Sequence, residues 1–66
     1  MNLDIIKANW KQLKGKAQIK WGELTDDDLD VIEGNATELS GILQEKYGIT
    51  KHEAEKQIEA WEKENS

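Results

Sequence analysis

Sixty-six residues with no cysteine, no proline and no phenylalanine, 35% of them charged, make one small domain that disulfides cannot staple and thiolates cannot arm with metal. The formal charge of −5 is unevenly spread: residues 1–24 hold five lysines against two acids, net +3, and residues 25–66 hold four lysines against twelve acids, net −8. Such a composition favours helices over a sheet. The three tryptophans are the natural source of a core, since each can bury about 150–250 Å².

The start, Met1-Asn2-Leu3-Asp4, lacks the basic and apolar regions of a secretory signal. No apolar run approaches the ~20 residues needed to span a bilayer. A cytoplasmic protein is expected, so the sequon Asn35-Ala36-Thr37 reads as a helix cap rather than a glycosylation site.

Along the chain, Ile6, Trp10, Leu13, Ala17 and Trp21 draw one apolar stripe at helical spacing. Gly22 stands where a left-handed closing residue is wanted. Asn9 and Gln12 have the spacing of a capping pair, which would make residues 3–8 a separate turn; the pattern leaves that open. Thr25-Asp26-Asp27-Asp28 is a helix start, with Thr25 as cap and acids against the positive end of the helix dipole. Leu29 and Ile32 are its inward residues, and Gly34 ends it. Asn35 with Glu38 caps the next helix, whose stripe is Ala36, Leu39, Leu43 and Tyr47, with Ile42 at its edge and Gly48 closing it. Thr50 with Glu53 caps the last, with Ile49 placed to staple onto Ala54 and a stripe of Ala54, Ile58 and Trp61.

Residues 9–22 repeat in residues 35–48. Asn9/Asn35, Leu13/Leu39, Gly15/Gly41, Gln18/Gln44, Lys20/Lys46, Trp21/Tyr47 and Gly22/Gly48 correspond, and each copy runs into a threonine-capped helix start. Two helical hairpins packed on each other are expected, neither able to hide its stripe alone. Gly15 and Gly41 stand out, because a mid-helix glycine costs about 1 kcal/mol relative to alanine. Both lie away from their stripes, and Ile19 shares the outer face of Gly15. They read either as a notch for another backbone, in this chain or a partner, or as tolerated residues.

Catalytic patterns fail one by one. A calcium loop opening at Asp26 needs glycine sixth and glutamate twelfth, but Val31 and Thr37 stand there. His52-Glu53 begins like a zinc-protease motif, yet Lys56 occupies the second histidine position. No second histidine exists to activate Ser40 or Ser66, and the glycines never cluster into a phosphate-cradling loop. So thin a bundle is expected to have little room for a pocket of ~300 Å³ or more. No enzyme, metal, cofactor or small-molecule substrate is expected.

Polyanion binding has more support. Lys7, Lys11 and Lys14 line one edge of the first helix beside Trp10, and Lys20 lies near Trp21; lysines interleaved with aromatics can hold phosphates and stack bases. Against it, the stripe puts the indoles inside, the rest of the chain is acidic, and there is no arginine to form bidentate forks.

The segments Asn9-Trp10-Lys11-Gln12-Leu13-Lys14-Gly15-Lys16, Trp21-Gly22-Glu23-Leu24-Thr25-Asp26-Asp27-Asp28 and Gln44-Glu45-Lys46-Tyr47-Gly48 resemble the CsbD-like bacterial stress-response proteins. Ile32-Glu33-Gly34, Leu39-x-Gly41 and Ala54-Glu55-Lys56 fit as well, so the likeness covers nearly the whole chain. It implies an all-α bundle of four main helices with a possible short N-terminal turn, arranged as crossed hairpins of the SAM-domain-like kind. It also implies a cytoplasmic protein raised during general stress, with no established activity and so no catalytic residues to carry over. Two positions depart from the pattern: Ala8, where the family often has glycine, and Ile42, where it often has lysine. The expectation is a non-enzymatic monomer that contacts one protein partner through Gly15, Ile19 and Gly41. The alternative is a polyanion-binding module using Lys7, Lys11, Lys14 and Lys20.

Overall fold

The computed structural model describes residues 3–65, with side chains from residue 6 onward. Five helices follow one another: α1 (Leu3–Ala8), α2 (Trp10–Lys20), α3 (Asp26–Ile32), α4 (Ala36–Tyr47) and α5 (Lys51–Glu64). Residues 3–8 do form a separate turn of helix. Asn9 breaks the line at φ −111°, ψ 15°, and caps α2 with its backbone carbonyl, which accepts from the N–H groups of Gln12 and Leu13 at 3.0 and 2.9 Å. Its side chain does not cap the helix, so the Asn9–Gln12 pair is not a capping box.

The other three helix starts follow the sequence. Thr25 Oγ1 accepts from the Asp28 N–H at 3.1 Å while the Thr25 N–H donates to Asp28 Oδ2 at 2.9 Å, a complete capping box. Asn35 Oδ1 accepts from the N–H groups of Thr37 and Glu38 at 2.9 and 3.2 Å, and Thr50 Oγ1 accepts from Glu53 at 3.1 Å. The helix ends are less uniform. Gly48 closes α4 in the left-handed region at φ +62°, but Gly22 has no positive φ. Instead α2 ends through Trp21, whose N–H still reaches the Ala17 carbonyl at 2.8 Å and whose own carbonyl accepts from Leu24 at 3.0 Å. At the end of α3 the left-handed turn is shared by Glu33 at φ +46° and Gly34 at φ +83°.

One continuous core takes residues from all five helices: Ile6 from α1, Leu13 and Ala17 from α2, Leu29 and Ile32 from α3, Ala36, Leu39 and Leu43 from α4, and Ala54, Ile58 and Trp61 from α5. Trp21 and Leu24, in the α2–α3 connection, are buried with them. Burying each large aliphatic side chain stabilises the fold by about 1.5–3 kcal/mol. Trp21 meets Trp61 edge to face, with ring centroids 5.2 Å apart and planes at 61°. Its indole N–H donates to Gln57 Oε1 at 2.9 Å, so the polar end of the buried ring is satisfied. Ile42 and Ile49 are half-buried against this core, as edge and staple positions should be; Trp10, expected inside with its stripe, is also only half-buried, at the start of α2.

The two repeats are packed unequally. The backbones of α4 and α5 approach most closely, so the second hairpin is tight. In the first, α2 and α3 are held by Gln18, whose amide donates to the Leu24 carbonyl at 3.2 Å and to Asp26 Oδ1 at 3.4 Å, and an open groove runs between them. The equivalent Gln44 turns inward to Ser40 Oγ at 3.1 Å. Tyr47, expected as a stripe residue, is 39% exposed. Its hydroxyl oxygen accepts the Glu23 N–H at 3.1 Å, while Lys46 Nζ donates to the Glu23 carbonyl at 3.1 Å and pairs with Asp28 at 2.6 Å. The end of α4 therefore clamps the α2–α3 connection from outside, a task that its counterpart Trp21, buried at the end of α2, does not share.

Candidate interaction surfaces

Gly15 and Ile19 sit one turn apart on the outer face of α2, opposite Leu13 and Ala17. Ile19 is 86% exposed. A methyl group built on Gly15 or on Gly41 would meet nothing within 4 Å, so among the described residues no other segment of backbone lies against either glycine. The notch that their spacing suggests is open to solvent, which leaves tolerance or an external partner. The close approach is made elsewhere, at Gly34. A methyl there would lie 2.7 Å from Lys7 Cα and 3.0 Å from Trp10 Cβ, so this glycine is what lets α1 and the start of α2 lie against the end of α3. In the sequence Gly34 looks like an ordinary helix terminator, and nothing in its local pattern reveals the crossing chain.

Open grooves mark the described surface. One, about 470 Å³, is lined by Lys7, Val31, Ile32, Glu33, Gly34, Asn35 and Glu38, where α1, α3 and α4 converge. It is larger than so thin a bundle is expected to offer, and it is an open trough rather than an enclosed cavity. A second, about 290 Å³, separates α2 from α3 and brings Lys11, Lys14 and Gly15 alongside Asp26 and Asp30. A third, about 270 Å³, lies between the end of α2 and the end of α5, lined by Lys16, Ile19, Lys20, Trp61, Glu64 and Asn65.

The four lysines of the polyanion alternative are thus divided among three grooves. Lys7 lies beside Glu33 and Glu38, Lys11 and Lys14 across from Asp26 and Asp30, and Lys20 beside Glu64. All four are exposed, and carboxylates share every groove they line. Gly15 and Ile19 share a face, whereas Gly41, on α4, lines none of these three grooves. Val31, 62% exposed on α3, is an outward aliphatic that helical phase places away from Leu29 and Ile32.

The charge pair of Asp28 and Lys46 is structural. The Lys46 ammonium, with help from the Thr25 N–H, holds the Asp28 carboxyl below its ordinary range, and Asp28 in turn raises Lys46. Among the described residues no group of three or more His, Asp or Glu side chains could hold a metal ion. None of the described helices is long and apolar enough to cross a membrane.

No solved structure matches the chain. Its sequence is similar to that of the UPF0337 protein of Xanthomonas axonopodis pv. citri (strain 306), 59% identical over 63 residues that cover 96% of this chain and 91% of that one. The UPF0337 protein YjbJ of Escherichia coli O6:H1 is 52% identical with the same coverage of each chain. That of Pectobacterium atrosepticum is 56% identical over 62 residues, 94% of this chain and 90% of that one. The CsbD-like family matches residues 4–56, a stretch that runs from α1 into α5, and this chain belongs to that family.

Proposed function

We propose that this protein is a non-enzymatic cytoplasmic stress-response protein that acts by contacting another protein through the outer face of α2. The observation that carries the reading is the pairing of Ile19, 86% exposed, with Gly15, above which 4 Å is empty. An aliphatic side chain beside a bare stretch of backbone lets a partner come closer than it could over longer side chains. Gly41 is the corresponding position of the second repeat and a separate point of approach.

The stress role rests on family membership. The absence of catalysis rests on the sequence patterns that fail. The test is a set of amide spectra of the labelled protein in stressed-cell extract, and separately with nucleic acid or anionic vesicles. Shifts around Gly15, Ile19 and Gly41 in extract are the expected result. Shifts confined to Lys7, Lys11, Lys14 and Lys20 on adding a polyanion, abolished by salt, would replace this reading with the polyanion one.

A further inference from the structure

The charge asymmetry of the sequence becomes a surface asymmetry in the fold. Helix α2 carries Lys11, Lys14, Lys16 and Lys20 and no acid, while α3 carries Asp26, Asp27, Asp28 and Asp30 and no base. Each helix also exposes a single large aliphatic. Ile19 rises from α2 between Lys16 and Lys20, over a trough floored by Trp61 with Glu64 and Asn65 on its far side. Val31 rises from α3 with Asp27 one turn before it and Asp30 adjacent, on a trough that also holds Glu33, Glu38 and Lys7. The two patches are opposite in charge and alike in form: one aliphatic knob, a shallow trough beside it, a charged frame.

We infer that these patches are the two halves of one homotypic contact, in which the α2 patch of one copy receives the α3 patch of a second copy. The inference rests on the proposed role of the α2 outer face and names its occupant. Neither patch can dock on itself without apposing like charges, so the contact is heterologous, pairing Lys16 and Lys20 with Asp27 and Asp30 of α3. A knob and a few charge pairs form a small interface, far below the area of a stable dimer. The association is therefore weak, concentration-dependent and opposed by salt.

Both knobs are exposed, so replacing them leaves the fold intact. Sedimentation velocity of the full chain from about 10 μM to about 1 mM spans the range where so weak a contact becomes populated. In low salt, ~20 mM, the weight-average mass should climb above the monomer's, and raising salt to ~300 mM should return it to the monomer value. Ile19→Glu and Val31→Lys should each stay monomeric. Mixed together they should associate again, because one retains the acidic patch and the other the basic one, and the mixture should stop at a heterodimer. A wild-type chain that stays monomeric throughout, or variants that associate as the wild type does, would overturn the inference. If the wild type is monomeric but Ile19→Glu erases the amide shifts seen in stressed-cell extract, the homotypic contact is wrong and the partner-binding face stands. If Ile19→Glu changes neither, both are wrong.

Discussion

At Gly34 an added methyl group would meet two obstacles at once. The backbone stands at φ +83°, a region that costs an L-residue roughly 1–2 kcal/mol. The methyl would also lie 2.7 Å from Lys7 Cα and 3.2 Å from the Ile6 carbonyl oxygen, both backbone atoms that cannot swing aside as a side-chain tip would. Displacing α1 to make room adds the ~1–3 kcal/mol typical of overpacking. Gly34→Ala should therefore destabilise by about 2–5 kcal/mol, a large part of the roughly 3–10 kcal/mol that a domain of this size has in total. For so short a chain each kcal/mol moves the melting temperature by about 4–8 °C, so a fall of ~10 °C or more is expected in a far-ultraviolet circular dichroism melt. Amide shifts of the residues from Ile6 to Trp10 should change most, since α1 is what must move. A melting temperature within about 3 °C of the wild type would refute the close packing of α1 on the end of α3.

The outer glycines should respond with the opposite sign. Gly41→Ala and Gly15→Ala have free space for the methyl and should each stabilise by about 0.5–1 kcal/mol in urea titration; a loss of stability would mean that an unseen neighbour occupies the notch. The Asp28–Lys46 pair sets a pH window. Because Asp28 is lowered in the fold, its contribution is present above its ordinary value of 3.8 and is lost as pH falls through the lower folded value. Lys46 is raised, so its share is present below 10.5 and lost as pH climbs through the higher folded value. The melting-temperature gap between wild type and Asp28→Asn should shrink on acidification below 3.8; a gap that stays constant would show that the pair does not govern it. Single-tryptophan variants should separate under iodide quenching, with Trp10 accessible and Trp21 and Trp61 protected. Equal quenching of all three would place the indoles on the surface.

The core was legible because helical spacing and burial have the same cause: a short amphipathic helix has one side to hide. Nearly every stripe residue lies inside, and the three Thr and Asn caps act as their spacing indicates, since a cap is a contact between residues two or three apart. The misses are contacts made across the chain. Gly22 and Gly48 occupy equivalent positions of the repeat, yet only Gly48 turns left-handed, because the exit path after each helix is set by what the next helix packs on. Tyr47 fits its stripe by phase, but the hydroxyl is drawn outward to a backbone N–H in the other repeat. Gly34 could not be told from a terminator without the position of α1. For the candidate surfaces, helical phase alone puts Gly15 and Ile19 on one face of α2. The division of the lysines among three grooves depends on how the helices cross, which periodicity does not encode.

The edge-to-face contact of Trp21 and Trp61 joins residues forty positions apart in the chain. Two indoles at that separation couple their electronic transitions, giving an exciton couplet that vanishes once the rings part. The molecule thus carries an intrinsic, label-free optical gauge of whether its last helix is seated, one that reports on this junction alone and that a Trp61→Phe substitution would switch off.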